Sequence, residues 1–117
     1  MNNYYLQTVI LENCPYGNAT LRLFEQHDIN TQIITVNQNN KDNYKTENIQ
    51  TFPQIYLKKN NTKGSLLLGG YDELVSFINK FKLQSYSKKN IDEFINAKKW
   101  SRKATLRLIE LLNKDNI

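Results

Sequence analysis

Hydrophobic residues recur along this chain in short runs separated by polar turns. Two stretches between and after these runs, residues 15–26 and 72–81, carry apolar positions at helical spacing, with Leu21 and Phe24 on one face of the first. A further short helix is expected around residues 42–47, in an otherwise polar stretch. The runs themselves are apolar or β-branched and predict four strands, at about residues 6–11, 32–36, 54–58 and 65–68.

The order of these elements predicts a mixed sheet. A strand, a helix and a second strand form a βαβ unit, whose strands run parallel with a right-handed crossover. Residues 60–64, Asn-Asn-Thr-Lys-Gly, have the composition of a hairpin turn, which would make the third and fourth strands antiparallel. We therefore expect an α/β fold in which flanking helices cover a four-stranded mixed sheet.

Two more helical patterns follow Lys82, where the composition changes. Residues 90–100 open with a sequence that resembles a capping box, which predicts a helix start at Asn90. Ser101 is placed to cap a last helix that runs to about residue 113. We therefore expect a first domain over residues 1–81 and a helical C-terminal extension over residues 82–117.

The net charge of +5 belongs to that extension. Residues 1–81 contain seven basic and seven acidic residues, whereas residues 82–117 contain nine basic and four acidic ones. The basic residues cluster around Trp100, over residues 98–103, a pattern that suits nucleic acid, an anionic membrane or an acidic protein. We favour either solvated helix surfaces or a protein partner, and nucleic acid is disfavoured.

Composition also indicates in which cellular compartment the protein works. No stretch approaches the roughly 18 apolar residues that a membrane span needs. The residues after Met1 lack the basic and apolar regions of a signal peptide, and a single cysteine fits a reducing environment. We therefore expect a cytoplasmic protein without a membrane span.

That single cysteine, Cys14, lies between the first predicted strand and the first predicted helix. Unpaired backbone N–H groups and the helix dipole favour an anion at a helix start, and the nucleophilic form of cysteine is the thiolate. Gly17 stands where a Cys-x-x-Cys pair would have its second sulfur. Chemistry at Cys14 therefore requires a second thiol from another molecule.

Three short motifs together resemble the glutaredoxin family, over about residues 4–81. They are Cys14-Pro15-Tyr16-Gly17, Thr51-Phe52-Pro53 and Gly69-Gly70-Tyr71-Asp72, in that order along the chain. Each motif is weak alone, but all three fall at the expected junctions of the predicted strands and helices. The resemblance implies the thioredoxin-like fold and a reaction that uses glutathione.

The resemblance also implies roles for individual residues. Cys14 would be the catalytic nucleophile, Pro53 would follow a cis peptide bond beside the sulfur, and the backbone of Phe52 would pair with the cysteinyl unit of glutathione. Gln50 would contact the glycine carboxylate, with help from Lys41 or Lys45. The expected glutathione site comprises Tyr16, Gln50, Phe52, Pro53, Gly70, Tyr71 and Asp72, and no metal ligand is expected.

Three departures from the family pattern leave alternatives open. Many glutaredoxins carry a lysine three residues before the reactive cysteine, but this chain has Leu11 there, followed by Glu12, and Gly17 removes the second thiol. We expect a monothiol oxidoreductase that removes glutathione from glutathionylated proteins. The alternatives are a glutaredoxin fold that binds without turnover, an inert buried cysteine, and a carrier of a 2Fe–2S cluster ligated by glutathione, which we do not favour.

Overall fold

A four-stranded sheet forms the centre of the computed structural model, which describes residues 4–83 and 85–113. Parts of both predicted domains, residues 1–3, Gln84 and residues 114–117, lie outside the described residues. The strands are β1 (Tyr4–Leu11), β2 (Gln32–Val36), β3 (Gln54–Lys59) and β4 (Ser65–Gly69), and their order across the sheet is β2-β1-β3-β4.

The pairing of these strands is mixed, as the sequence predicts. β1 and β2 are parallel, and Val9 of β1 lies opposite Ile34 of β2. β1 and β3 are antiparallel, and Val9 lies opposite Gln54 of β3. β3 and β4 form an antiparallel hairpin whose register shifts between Ile55 and Tyr56. The βαβ unit followed by a hairpin is the thioredoxin-like arrangement, and the predicted fold class is confirmed.

Four α-helices flank the sheet within the described residues: α1 (Pro15–Gln26), α2 (Tyr71–Ile78), α3 (Lys88–Lys98) and α4 (Arg102–Leu112). The short helix expected at residues 42–47 is instead a 3₁₀ turn, Lys41–Tyr44. The helix expected over residues 72–81 leaves α geometry at Ile78 and continues as a π turn, Asn79–Leu83.

The start of α3 differs from its prediction. The helix begins two residues before Asn90, and Ser87 is its N-cap. The Ser87 hydroxyl accepts a hydrogen bond from the Asn90 N–H, and the Asn90 side-chain oxygen accepts one from the Ser87 N–H. Asn90 therefore closes the capping box as its third helical residue. Ser101 caps α4 as predicted, accepting from the Ala104 N–H at 3.1 Å.

The hydrophobic core lies on one face of the sheet, and both predicted parts of the chain contribute to it. Leu6 and Leu57 present apolar side chains from the sheet, and Phe77, Phe94 and Leu108 cover them from three helices. Two hydrogen bonds join the π turn to the end of α4: the Lys82 ammonium donates to the Leu112 carbonyl at 2.8 Å, and the Asn113 amide donates to the Phe81 carbonyl at 2.8 Å. The division of the chain at Lys82 stays a prediction.

In the described part of the chain, every helix is too short or too polar to cross a membrane.

Candidate active site at the start of helix α1

The thiol occupies the N-cap of α1, directly after the turn that leaves β1. The Cys14 N–H donates to the Leu11 carbonyl at 3.2 Å, and the Cys14 carbonyl accepts the first helical hydrogen bond from the Asn18 N–H at 3.1 Å. Pro15 follows as the first helical residue, where the N–H that it lacks would have no partner within the helix. The side chain of Cys14 is half-buried, so it is supported by the fold and remains open to a reactant.

Gly17 allows α1 to lie close against β1. A Cβ at Gly17 would come within 3.3 Å of the Ile10 Cβ and 3.5 Å of the Leu11 carbonyl oxygen. One turn later the buried Thr20 hydroxyl donates to the Tyr16 carbonyl at 2.8 Å. The close approach of Gly17 to β1 therefore sets the position of the first turn of α1, and with it the sulfur, relative to the sheet.

The second motif lies at the same end of the sheet. The Phe52–Pro53 peptide bond is cis, as the resemblance implies. β3 begins directly after Pro53, and the pairing of Gln54 with Val9 places that start beside the end of β1 from which the chain leads to Cys14. Pro53 is buried and Phe52 is half-buried.

The third motif packs against the second. Gly69 has φ of +127°, and a Cβ there would come within 2.5 Å of the Glu73 Cγ, so this position requires glycine. Gly70 lies so close to the cis-proline loop that a Cβ on it would be 3.3 Å from the Pro53 carbonyl oxygen. The N-terminus of α2 is thereby held next to the loop that carries Pro53.

An aromatic contact joins the first motif to the third. The ring centroids of Tyr16 and Tyr71 are 6.1 Å apart, with the ring planes inclined at 54°. Tyr16 is 63% exposed, so the pair forms part of the surface next to the thiol. The structure thus places the three motifs at one end of the sheet, linked by the contacts of Tyr16 with Tyr71 and of Gly70 with Pro53, and their role as a glutathione site stays a prediction.

The remaining predicted residues are less fully placed. Asp72 is exposed in the first turn of α2. Gln50 is exposed in the segment before Thr51, and its role rests on the resemblance alone. Of the two lysines considered with it, Lys45 pairs with Asp42 at 3.0 Å, and this hydrogen bond and ion pair hold the pKa of the Asp42 carboxyl below its usual value.

One structural residue of the site was missed from the sequence. The Glu73 carboxylate accepts the Gly70 N–H at 2.7 Å and so fixes the turn that begins α2. The spacing of Glu73, three residues after an N-cap, is the spacing of a capping box. The signal was present, but the glycine at the cap position conceals it because capping boxes are recognised by serine or threonine.

The described residues contain no group of three or more His, Cys, Asp or Glu side chains that could hold a metal ion.

Comparison with protein families finds that the glutaredoxin family model matches residues 5–61. The matched segment contains the first two motifs and ends before the third. No curated protein matches the chain in sequence.

Proposed function

Since residues 5–61 belong to the glutaredoxin family, we propose that the protein is a glutathione-dependent thiol–disulfide oxidoreductase that acts through Cys14 alone. Its substrates are proteins that carry glutathione in a mixed disulfide. The observation that carries the proposal is the placement of one half-buried thiol at the N-terminus of α1, at the same end of the sheet as the Phe52–Pro53 loop and without a second cysteine in the chain.

The first step transfers the glutathionyl group to the enzyme. The Cys14 thiolate attacks the glutathione sulfur of the mixed disulfide and forms a new S–S bond to it. The old S–S bond breaks, and the substrate protein leaves as a thiolate that takes a proton from water. The N-terminus of α1 stabilises the attacking thiolate because its free N–H groups and dipole favour negative charge.

The second step regenerates the enzyme. The thiolate of a second glutathione attacks the sulfur of the bound glutathionyl group, and oxidised glutathione leaves while Cys14 returns as a thiolate. Electrons balance over the cycle, since two glutathione sulfurs are joined in one disulfide as the substrate disulfide is reduced. Gly17 supplies no thiol that could intercept the intermediate, which is why the cycle depends on glutathione.

The groove beside the thiol would hold the glutathionyl group in both steps. Family resemblance assigns the Phe52 backbone to the cysteinyl unit, in the manner of an added strand. The γ-glutamyl carboxylate would lie at the N-terminus of α2, where the first-turn N–H groups of Tyr71 and Asp72 have no partner within the helix. The Asp72 carboxylate, exposed in that turn, would hold the γ-glutamyl ammonium.

Two measurements test the proposal. Incubation with oxidised glutathione should add one glutathionyl group to the intact protein, as seen by mass spectrometry, and Cys14→Ser should gain none. A glutathione-coupled assay on a small mixed disulfide should then show turnover that Cys14→Ser lacks.

The outcomes separate the alternatives. An unmodified wild-type protein, or equal modification of Cys14→Ser, would refute the role of Cys14. An adduct without turnover would identify a binding protein on this fold, and a coloured dimer that forms only with glutathione and iron would identify a cluster carrier.

A further inference from the structure

Positive charge is concentrated in two stretches of the chain that contain no acidic residue, residues 54–67 and 94–109. The two stretches together carry eight positive charges, whereas the whole chain has a net charge of +5. The rest of the chain therefore has a net charge of −3. The eight are Lys58, Lys59, Lys63, Lys98, Lys99, Arg102, Lys103 and Arg107. Such segregation creates a field that attracts acidic partners to one part of the surface.

The fold brings the two stretches to one place. The β3–β4 hairpin and the turn between α3 and α4 border an open surface cavity of about 340 Å³, which we call the distal cavity. Its walls include Leu66, Trp100 and Ala104, which are apolar, and Lys59 and Lys99, which are cationic. The hydroxyl-bearing residues Ser65 and Ser101 also line it, and all of its lining residues lack a carboxylate.

This cavity is separate from the thiol site. Tyr4 also lines it, and Tyr4 pairs with Lys59 at the start of β1, whereas Cys14 follows the other end of that strand. A strand of 8 residues spans roughly 23 Å at its usual rise per residue. The distal cavity and the thiol therefore lie at opposite ends of the sheet.

We propose that the distal cavity is a docking site for an acidic protein segment that inserts one large apolar side chain between Trp100 and the hairpin. Lys59 and Lys99 would meet carboxylates on either side of the inserted residue. The cavity has room for a large apolar side chain, which would bury apolar surface against Leu66, Trp100 and Ala104. The site goes beyond the thiol chemistry, because it uses no residue of the glutathione groove.

The packing of the Trp100 ring favours a protein segment over single-stranded nucleic acid as the occupant of the cavity. The ring of Trp100 packs against Phe77 and Phe94, with centroids 5.7 and 5.2 Å apart, and is only partly exposed. It therefore does not offer the open stacking face on which single-stranded bases are bound. Arg102 and Arg107 pair with the carboxylates of Asp92 and Glu110, so the cations that line the cavity itself are Lys59 and Lys99.

Trp100 is the only tryptophan of the chain, so its fluorescence reports directly on the cavity. The probe is a short capped peptide with one central phenylalanine flanked by glutamates, titrated into the full-length protein at low salt. We expect a saturable change in Trp100 fluorescence that weakens as salt is added. Peptides with lysine in place of glutamate, or alanine in place of phenylalanine, should produce little change.

Matched variants locate the binding. The double variant Lys59→Gln/Lys99→Gln should bind the acidic peptide roughly tenfold more weakly. Lys88→Gln/Lys89→Gln removes the same charge at the other end of the 11-residue helix α3, about 15 Å away by its rise per residue, and should bind as wild type. Ser65→Glu, at an exposed wall of the cavity, is a second variant that should weaken binding through repulsion.

Three results would overturn the proposal. One is the absence of a saturable change with the acidic peptide. Another is equal weakening in the two double variants, which would reduce the effect to net charge. The third is tighter binding of a single-stranded oligothymidine with the same sensitivity to Lys59→Gln/Lys99→Gln, which would make the site a nucleic-acid site. Glutathione adduct formation at Cys14 is measured in parallel and should be unchanged in every variant, so the two proposals fail independently.

Discussion

Glu12 is the charged residue nearest in sequence to the reactive thiol, two positions before Cys14, and its side chain is exposed. A nearby anion disfavours the thiolate, whereas a cation favours it. We predict that Glu12→Lys increases the rate at which iodoacetamide alkylates Cys14 at neutral pH, by roughly two- to tenfold. Glu25→Lys, which makes the same charge change near the end of α1, should leave the rate unchanged. Equal rates in wild type and Glu12→Lys would show that the carboxylate points away from the sulfur.

Gly17 is the other residue that sets the chemistry. Gly17→Cys would place a second sulfur at the first turn of α1, and the first and fourth residues of such a turn are close enough for disulfide geometry. Mild oxidation should then remove both free thiols of the variant, as counted with a thiol reagent. Gly17→Ser is the control, since it adds a similar side chain against Ile10 and should keep its single thiol. Two thiols that persist after oxidation would contradict the placement of Cys14 at the start of α1.

The candidate site was predictable from the sequence to the extent that its residues lie in short motifs. Cys14, Pro53 and Gly70 each belong to a motif, and the structure places the three motifs at the same end of the sheet. Glu73 was missed because its partner is the backbone N–H of a glycine. Gln50 lies outside the three motifs, and its expected contact with the glycine carboxylate rests only on the resemblance to the glutaredoxin family.

Among the secondary-structure elements, α1 ends in a complete Schellman motif. The Ile29 N–H donates to the Phe24 carbonyl at 2.9 Å, and the Asp28 N–H donates to the Glu25 carbonyl at 3.2 Å. Phe24 and Ile29 are both buried, which supplies the hydrophobic contact of this motif. Asp28 itself has φ of +54°, a conformation that glycine adopts without steric cost.

We predict that Asp28→Gly stabilises the protein by about 0.5–1 kcal/mol. The change relieves the left-handed backbone and removes a negative charge from a helix C-terminus, where it opposes the dipole. Urea denaturation would show the gain as a higher midpoint at constant slope. Asp28→Asn removes only the charge and should give a smaller gain, while Asp28→Val should be destabilising. A midpoint for Asp28→Gly at or below that of wild type would contradict this account.

Sequence periodicity predicted best those elements that are stabilised locally. α1 and β2 have the predicted bounds because their apolar spacing and their turns lie within the elements themselves. The short helix expected at residues 42–47 forms only as the 3₁₀ turn Lys41–Tyr44. The Thr46 hydroxyl accepts the N–H groups of Asn48 and Ile49, and these local bonds compete with continued helical hydrogen bonding. The π turn after α2 could not be predicted, because the Phe81 carbonyl bonds to Asn113, 32 residues later.

At the scale of the whole molecule, the two predicted parts of the chain share one apolar cluster. The ring centroid of Phe94, in α3, lies 5.7 Å from that of Phe77 and 5.1 Å from that of Phe81. The Phe94 side chain is buried, with only 4% of the residue exposed. A surface helix that merely followed a complete domain would not bury an aromatic side chain to this degree. The C-terminal helices are therefore expected to unfold together with the sheet.

Phe94→Ala tests that expectation. Removing a buried phenylalanine costs about 3–5 kcal/mol, a large part of the roughly 5–15 kcal/mol that stabilises a typical domain. Phe94→Leu, which keeps most of the volume, should cost less and provides a variant that remains folded. Urea denaturation is followed by Trp100 fluorescence, which reports on the extension, and by far-ultraviolet circular dichroism, which reports on all elements. We predict one transition that coincides in both signals and shifts by the same amount in each variant.

Independent unfolding of the C-terminal extension would give a different result. If residues 82–117 formed a unit of their own, the fluorescence transition of Phe94→Leu would move to lower urea while most of the dichroism change stayed in place. Ile95→Ala is the control on the same helix, because Ile95 is only half-buried and its loss should shift both signals less than that of Phe94. Phe94→Leu should still form the glutathione adduct at Cys14, since the ring contacts the core and no residue of the groove. A folded variant that had lost the adduct would show instead that the packing of α3 controls the geometry of the thiol site.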